Sequence, residues 1–174
     1  RSFGISDMTV RKYIDILEMT FMVRVLQPWY TNIGKRIIKR PKIYIRDSGI
    51  FHSLISIAGF NELLGHPKLG SSWEGFALEN VAKSIGKRNE ELYFWSTHTG
   101  AEVDLFWQNQ GKSWAVEFKY SDAPKLSKSM LIALSDLKIR HLWVIYPGTQ
   151  QYQLTDKITV LPLAQISYPW KYIK

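Results

Sequence analysis

With 174 residues, the chain can bury one full core with room for a small second module, and its lack of cysteine excludes a disulfide framework and a thiolate metal site. No apolar run approaches the roughly 20 residues needed to span a bilayer, and Arg1-Ser2-Phe3-Gly4 is neither an initiator nor a signal peptide, so a cytoplasmic piece of something longer is expected. Net charge is +8, of which residues 1–50, with ten Lys and Arg against four Asp and Glu, carry +6; such a basic lobe suits a phosphate-bearing partner through counterion release, and equally a solvated face without a ligand.

Ser6 is placed to cap a helix that begins near Asp7 and runs to about Thr20, with Val10, Tyr13, Ile14 and Leu17 at helical spacing and Arg11, Lys12, Asp15 and Glu18 on the other side. Met22-Val23-Arg24-Val25-Leu26 and Lys42-Ile43-Tyr44-Ile45 read as strands joined by the basic segment 31–40. A helix followed by a basic ribbon resembles the second half of a winged helix-turn-helix, whose helix enters a groove while the ribbon touches the backbone. That reading nominates Arg11, Lys12, Lys35, Arg36, Lys39 and Arg40 as nucleic-acid contacts; the mixed charges on the helix leave a packing module as the alternative. Asp47-Ser48-Gly49 offers a cap for a short helix from about Ile50 to Ala58. Residues 59–70 read as a connecting segment between two lobes, 1–58 and 71–174.

From Ser71 or Ser72 a helix is predicted to about Ile85, and Glu74 shares its apolar stripe with Leu78, Val81 and Ile85. A carboxylate there needs a partner, since burying an unpaired charge is costly. Glu79, with Lys83 at i+4, reads as an ordinary surface pair. Three strands follow, around Leu92–Trp95, Ala101–Trp107 and Ser113–Lys119, the last two linked by the turn-type sequence Asn109-Gln110-Gly111-Lys112. Period-two alternation puts Glu102, Asp104 and Phe106 on one face and Val103, Leu105 and Trp107 on the other, while Glu117 and Lys119 share a face. A helix over about Leu126–Lys138 and a strand at His141–Tyr146, apolar on both faces, come next, then a strand near Ile158–Leu161. The expectation is an α/β fold with a mixed sheet flanked by helices.

A hairpin of the second and third strands would let Asp104 and Glu117 converge. Two carboxylates and a lysine on neighbouring strands can hold a divalent metal and a water, the minimum equipment for cutting a phosphodiester. On spacing alone, the wet face of an antiparallel hairpin is the plainer account.

The order helix, three strands, helix, strand, with an acid on the first helix, Asp104 on the second strand and Glu117-Phe118-Lys119 on the third, resembles the PD-(D/E)xK nuclease superfamily. It is more similar still to the C-terminal domain found after the AAA+ module of prokaryotic ATPases, in which a winged-helix segment precedes a nuclease-like core. Thr9-Val10 through Leu17-Glu18, Pro28-Trp29, Asn32 with Lys35-Arg36, Pro41-Lys42-Ile43-Tyr44, Asp47-Ser48-Gly49, Gly70 with Trp73-Glu74, Gly100 with Glu102-Val103-Asp104, and Glu117-Phe118-Lys119 carry that similarity. The resemblance implies a partial winged helix followed by a restriction-endonuclease-like core, DNA as partner, and an AAA+ module upstream. It further implies Asp104, Glu117 and Glu74 as ligands of Mg²⁺, with Mn²⁺ as a substitute, the Phe118 carbonyl beside them, Glu102 in reserve, and Lys119 orienting water or stabilising charge on the phosphate.

Val103 stands where the superfamily name has proline, and Gly111-Lys112-Ser113 mimics the end of a phosphate loop whose earlier glycine position is Phe106, so no ATPase motif is present in the chain. Two other functions share the same fold. One is a DNA-binding regulatory domain that no longer cuts, with Glu117 and Lys119 as an internal salt bridge. The other is a protein-interaction module docking through Trp29, Tyr30, Ile37 and Ile38.

Overall fold

The structure, a computed structural model, describes residues 4, 6–30, 38–167 and 170–171. Helix α1 (Asp7–Met19) starts where the Ser6 side chain accepts the Thr9 N–H, as the cap residue predicts. Its apolar stripe is left uncovered: no residue of α1 is buried, and Tyr13, Ile16 and Met19 are exposed. Strands β1 (Val23–Pro28) and β2 (Lys42–Ile45) form an antiparallel ribbon with Leu26 opposite Lys42. Helix α2 (Ser48–Leu54) is capped by the Asp47 side chain, which accepts the Ile50 N–H at 2.9 Å. The stretch read as a connection contains a short helix, α3 (Phe60–Leu64), and α4 (Leu69–Ile85) begins before Ser71.

Strands β3 (Tyr93–Ser96), β4 (Glu102–Asn109) and β5 (Lys112–Phe118) are antiparallel neighbours. Helix α5 (Lys128–Asp136) then carries the chain over to β6 (Ile139–Tyr146), which lies parallel to β5. The last pair is β7 (Tyr152–Thr155), which the sequence reading missed, and β8 (Ile158–Pro162), parallel to β6. Together they make one mixed eight-stranded sheet in the order β2-β1-β3-β4-β5-β6-β8-β7. The predicted order helix, three strands, helix, strand is therefore present. The β1–β2 ribbon lies in the same sheet, because Gln27 and Pro28 pair in parallel with Tyr93 and Phe94.

The β4–β5 hairpin closes through Gln110-Gly111, both at positive φ (49° and 72°), the conformation of the two-residue turn whose twist matches paired strands. Both sheet faces are covered. Ala77, Leu78 and Val81 of α4 pack on Leu105, Trp107, Trp114 and Val116, while Met130 and Ala133 of α5 pack on Val103, Phe106, Ala115 and Val144. Strict alternation along β4 thus fails: Val103 parts company with Leu105 and Trp107, and Phe106 is fully buried on the α5 side. The register against β3 slips between Trp95↔Val103 and Tyr93↔Phe106, the mark of a bulge that re-aims the side chains around Asp104. Among the described residues, no helix is long and apolar enough to cross a membrane.

Candidate functional site

Asp104 near the start of β4 and Glu117 near the end of β5 lie at the end of the hairpin away from its turn, and both are buried, 6% and 5% exposed. Asp104 Oδ2 accepts the Phe118 N–H at 2.9 Å, which ties it to the strand that carries Glu117. Glu117 Oε1 takes the Lys119 ammonium at 2.6 Å, while its buried Oε2 has no hydrogen-bond partner. Burial, reinforced by the Asp104 charge, pushes the Glu117 carboxyl up to about 8 against the pull of Lys119. Lys119 responds otherwise: burial works against its charge, but Glu117 and Asp104 outweigh it and its pKa is raised. The pair is asymmetric because Lys119 keeps 44% of its side chain in solvent.

Glu74 reaches the same place from α4. Its Oε1 accepts the Tyr44 hydroxyl at 2.5 Å and lies 3.5 Å from Lys42 Nζ, which supplies the partner its apolar stripe demands. Burial and the Asp104 charge raise the Glu74 carboxyl, opposed by Lys42 and Tyr44. Lys42 and Tyr44, both on β2, escaped the sequence reading as site residues. The Lys42 ammonium sits among three carboxylates: 3.1 Å from Asp104 Oδ1, 3.5 Å from Glu74, and ion-paired with Glu102. Burial alone would lower its pKa, yet Asp104, Glu74 and Glu102 override this and raise it. Burial likewise raises the Tyr44 phenol. The i, i+2 placement of Lys42 and Tyr44 was a readable signal that they share a face. Their proximity to Asp104 was not, because it depends on the long-range pairing of β1 with β3.

Glu79 is a correction. It turns to the sheet rather than to a surface pair with Lys83, accepting from Arg24 at 2.5 and 3.2 Å and from Arg46 at 3.1 Å. Arg24 is buried, and a buried guanidinium requires a carboxylate. Of the nominated nucleic-acid contacts, Arg11, Lys12, Lys39 and Arg40 are exposed, whereas Lys35 and Arg36 lie outside the described residues. Trp29, offered above as a docking residue, packs against Tyr93 and Phe106 with ring centroids 4.8 and 5.0 Å away; Tyr30 is exposed, Ile38 is half-buried, and Ile37 lies outside the described residues.

Among the described residues no group of three or more His, Asp or Glu stands ready to hold a metal ion. In this structure the Lys42 ammonium lies against Asp104 Oδ1 and Glu74 Oε1. The site nevertheless fits a cation on three counts. Its donors are carboxylate oxygens, which suit a hard divalent ion; the ammonium is itself a stand-in cation among them; and Glu117 Oε2 is a buried acceptor without a donor. A cavity of about 360 Å³, whose wall includes Lys42, Tyr44, Ser72 and Glu74, opens beside the cluster.

The family model described as "Domain of unknown function (DUF4143)" matches residues 69–166, and that described as "Domain of unknown function (DUF8612)" matches residues 1–61. Lys42 and Tyr44 thus fall in one matched stretch, and Glu74, Glu102, Asp104, Glu117 and Lys119 in the other. The uncharacterized proteins Rv2008c of Mycobacterium tuberculosis and Mb2031c of Mycobacterium bovis are each 42% identical to the chain over 166 residues, which is 95% of the chain and 37% of the relative. The chain therefore spans little more than a third of the length of these curated relatives. No solved structure matches it.

Proposed function

We propose, from the premise that the chain belongs to the DUF4143 family, that its core is a PD-(D/E)xK nuclease-like domain whose cluster hydrolyses DNA phosphodiesters with the help of Mg²⁺ or Mn²⁺. The observation that carries the reading is convergence: Asp104 is bonded to the Phe118 amide next to Glu117, Lys119 is on Glu117, and Glu74 comes in from α4 to share Lys42 with Asp104. The helix, three strands, helix, strand order of the sheet supports it. So does the chemistry of the donors.

Asp104 and Glu117, with Glu74 as a third, are the residues to hold the cation. Bound there, it would neutralise charge on the phosphoryl oxygens and acidify water. Lys119 does two things in this scheme. It holds Glu117 Oε1 in place, and its half-exposed ammonium can stabilise charge that develops on the phosphate. Tyr44 fixes the Glu74 carboxylate by donating its hydroxyl proton to Oε1. Phe118 N–H fixes the rotamer of Asp104. In the longer protein, the domain is proposed to follow an AAA+ module in the cytoplasm, with α1 and the β1–β2 ribbon as a partial winged helix offering Arg11, Lys12, Lys39 and Arg40 to DNA.

Nicking of supercoiled plasmid in Mg²⁺ or Mn²⁺ tests the reading, with Asp104→Ala and Lys119→Ala beside the wild type. Metal-dependent nicking lost in both variants is the expected result; equal activity in all three proteins removes it.

One observation favours a second reading. Lys42 and Lys119 neutralise much of the cluster from within, as they would in a non-catalytic regulatory domain that binds DNA or protein. DNA binding that survives Asp104→Ala, weakens on substitution of Lys35 and Arg36, and comes without nicking would single it out.

A further inference from the structure

We propose that Lys42 is an intramolecular counter-ion that competes with the divalent cation for the carboxylate cluster, so that strand β2 controls loading of the site. The inference rests on the nuclease reading of Asp104, Glu117 and Glu74.

The ammonium and a divalent ion would need the same oxygens. Lys42 Nζ is 3.1 Å from Asp104 Oδ1 and 3.5 Å from Glu74 Oε1, and it also pairs with Glu102. Two cations cannot share those atoms at contact distance without strong repulsion in a partly buried setting. Either the metal is excluded or the lysine withdraws. Withdrawal is feasible because a lysine is a compact charge on a flexible four-carbon stem, and because among the described residues β2 is the edge strand of the sheet, paired with β1 alone. The demand for a cation persists with Lys42 in place. Glu117, 5% exposed, keeps a buried Oε2 with no donor, which the ammonium leaves unserved. The competitor also comes from outside the stretch that carries the carboxylates: Lys42 lies within residues 1–61 and its three partners within residues 69–166.

Calorimetric titration with Mn²⁺ tests the proposal on wild type, Lys42→Met, and Lys42→Met combined with Asp104→Asn. Lys42→Met is expected to bind Mn²⁺ at least about tenfold more tightly than wild type, because a competing charge is gone, and the double variant to lose that gain. Equal affinities in wild type and Lys42→Met, with binding lost in the double variant, would overturn the competition while sparing the metal site. No Mn²⁺ binding by either protein would overturn both. A labelling experiment on the wild type guards against a variant that fails to fold. Amine acylation of Lys42, read by mass spectrometry, is expected to rise several-fold at saturating Mn²⁺, and unchanged labelling under conditions where Mn²⁺ binds would overturn the proposal.

Discussion

Lys42 Nζ lies 3.1 Å from Asp104 Oδ1 although their strands, β2 and β4, are separated in the sheet by β1 and β3. The lysine spans the gap by passing over the ring of Phe94 on β3, 5.5 Å from its centroid. An edge strand thereby delivers charge to the middle of the domain. Asp104 is engaged on both oxygens as a result, with Oδ1 on the ammonium and Oδ2 on the Phe118 amide.

Replacing Asp104 separates these two roles. Asp104→Ala strips the acceptor from the buried Phe118 N–H and removes one of the three carboxylates around Lys42, which should cost about 2 kcal/mol of stability. Asp104→Asn keeps a carbonyl oxygen for the amide and should cost less than half as much. Relief of repulsion with Glu117 works in the opposite sense but is common to both variants, so the difference between them isolates the hydrogen bond. Denaturant midpoints at neutral pH measure it, and equal losses would mean that the Phe118 bond contributes nothing.

Glu117 gives the domain a pH dependence with a definite sign. Its carboxyl is raised from 4.5 to about 8 in the fold, chiefly by burial and then by Asp104. Between those values the native state holds a proton that the unfolded chain has released, so stability falls as pH rises through that window and levels off above it. One group contributes at most about 1.4 kcal/mol per pH unit. Glu117→Gln removes the titration. In metal-free buffer its melting temperature should draw ahead of wild type as pH goes from 5 to 8; a constant gap would show that Glu117 titrates normally.

Arg24 and Arg46 meet the same carboxylate from different environments, which predicts unequal costs of removal. Arg24 is buried and holds Glu79 through two nitrogens, so Arg24→Met should lose about 3 kcal/mol by stranding a largely buried charge. Arg46 keeps a third of its side chain in solvent, and Arg46→Ala should lose less than about 1 kcal/mol. Thermal or chemical unfolding of the two variants decides; similar losses would place Glu79 in a more solvated setting than the structure gives it.

The parts of the molecule that were legible in the sequence are those set by local rules. Ser6 and Asp47-Ser48-Gly49 announced their helices through cap chemistry, the turn-type sequence Asn109-Gln110-Gly111-Lys112 announced the hairpin, and the apolar run at His141–Tyr146 announced a strand covered on both faces. Glu74 on an apolar stripe correctly demanded a partner. What stayed hidden depends on contacts remote in the chain. The β1–β3 pairing brings Lys42 and Tyr44 to the cluster, the slip in β3–β4 register breaks the period-two reading of Val103 and Phe106, and the buried Arg24 draws Glu79 away from Lys83. The helical spacing of Val10, Tyr13 and Leu17 specifies a stripe on α1 without specifying what lies against it, and all three are exposed.

The basic residues divide into those free to meet phosphate and those already committed, and salt dependence can tell them apart. Lys39 and Arg40 are exposed, whereas Arg24, Arg46 and Lys42 are bound to carboxylates. Each phosphate neutralised contributes about 0.9 to the slope of log Kobs against log salt on duplex DNA. Combined Lys39→Ser and Arg40→Ser substitutions should therefore weaken binding for every duplex sequence alike and flatten that slope by about 2. Arg46→Ser should leave the slope as it was, because its guanidinium is spent on Glu79. Fluorescence anisotropy on a labelled duplex across a salt series provides the measurement. A slope untouched by the double substitution would move the DNA-facing surface away from the stretch that precedes β2, and a slope flattened by Arg46→Ser would show that its pairing with Glu79 gives way to phosphate.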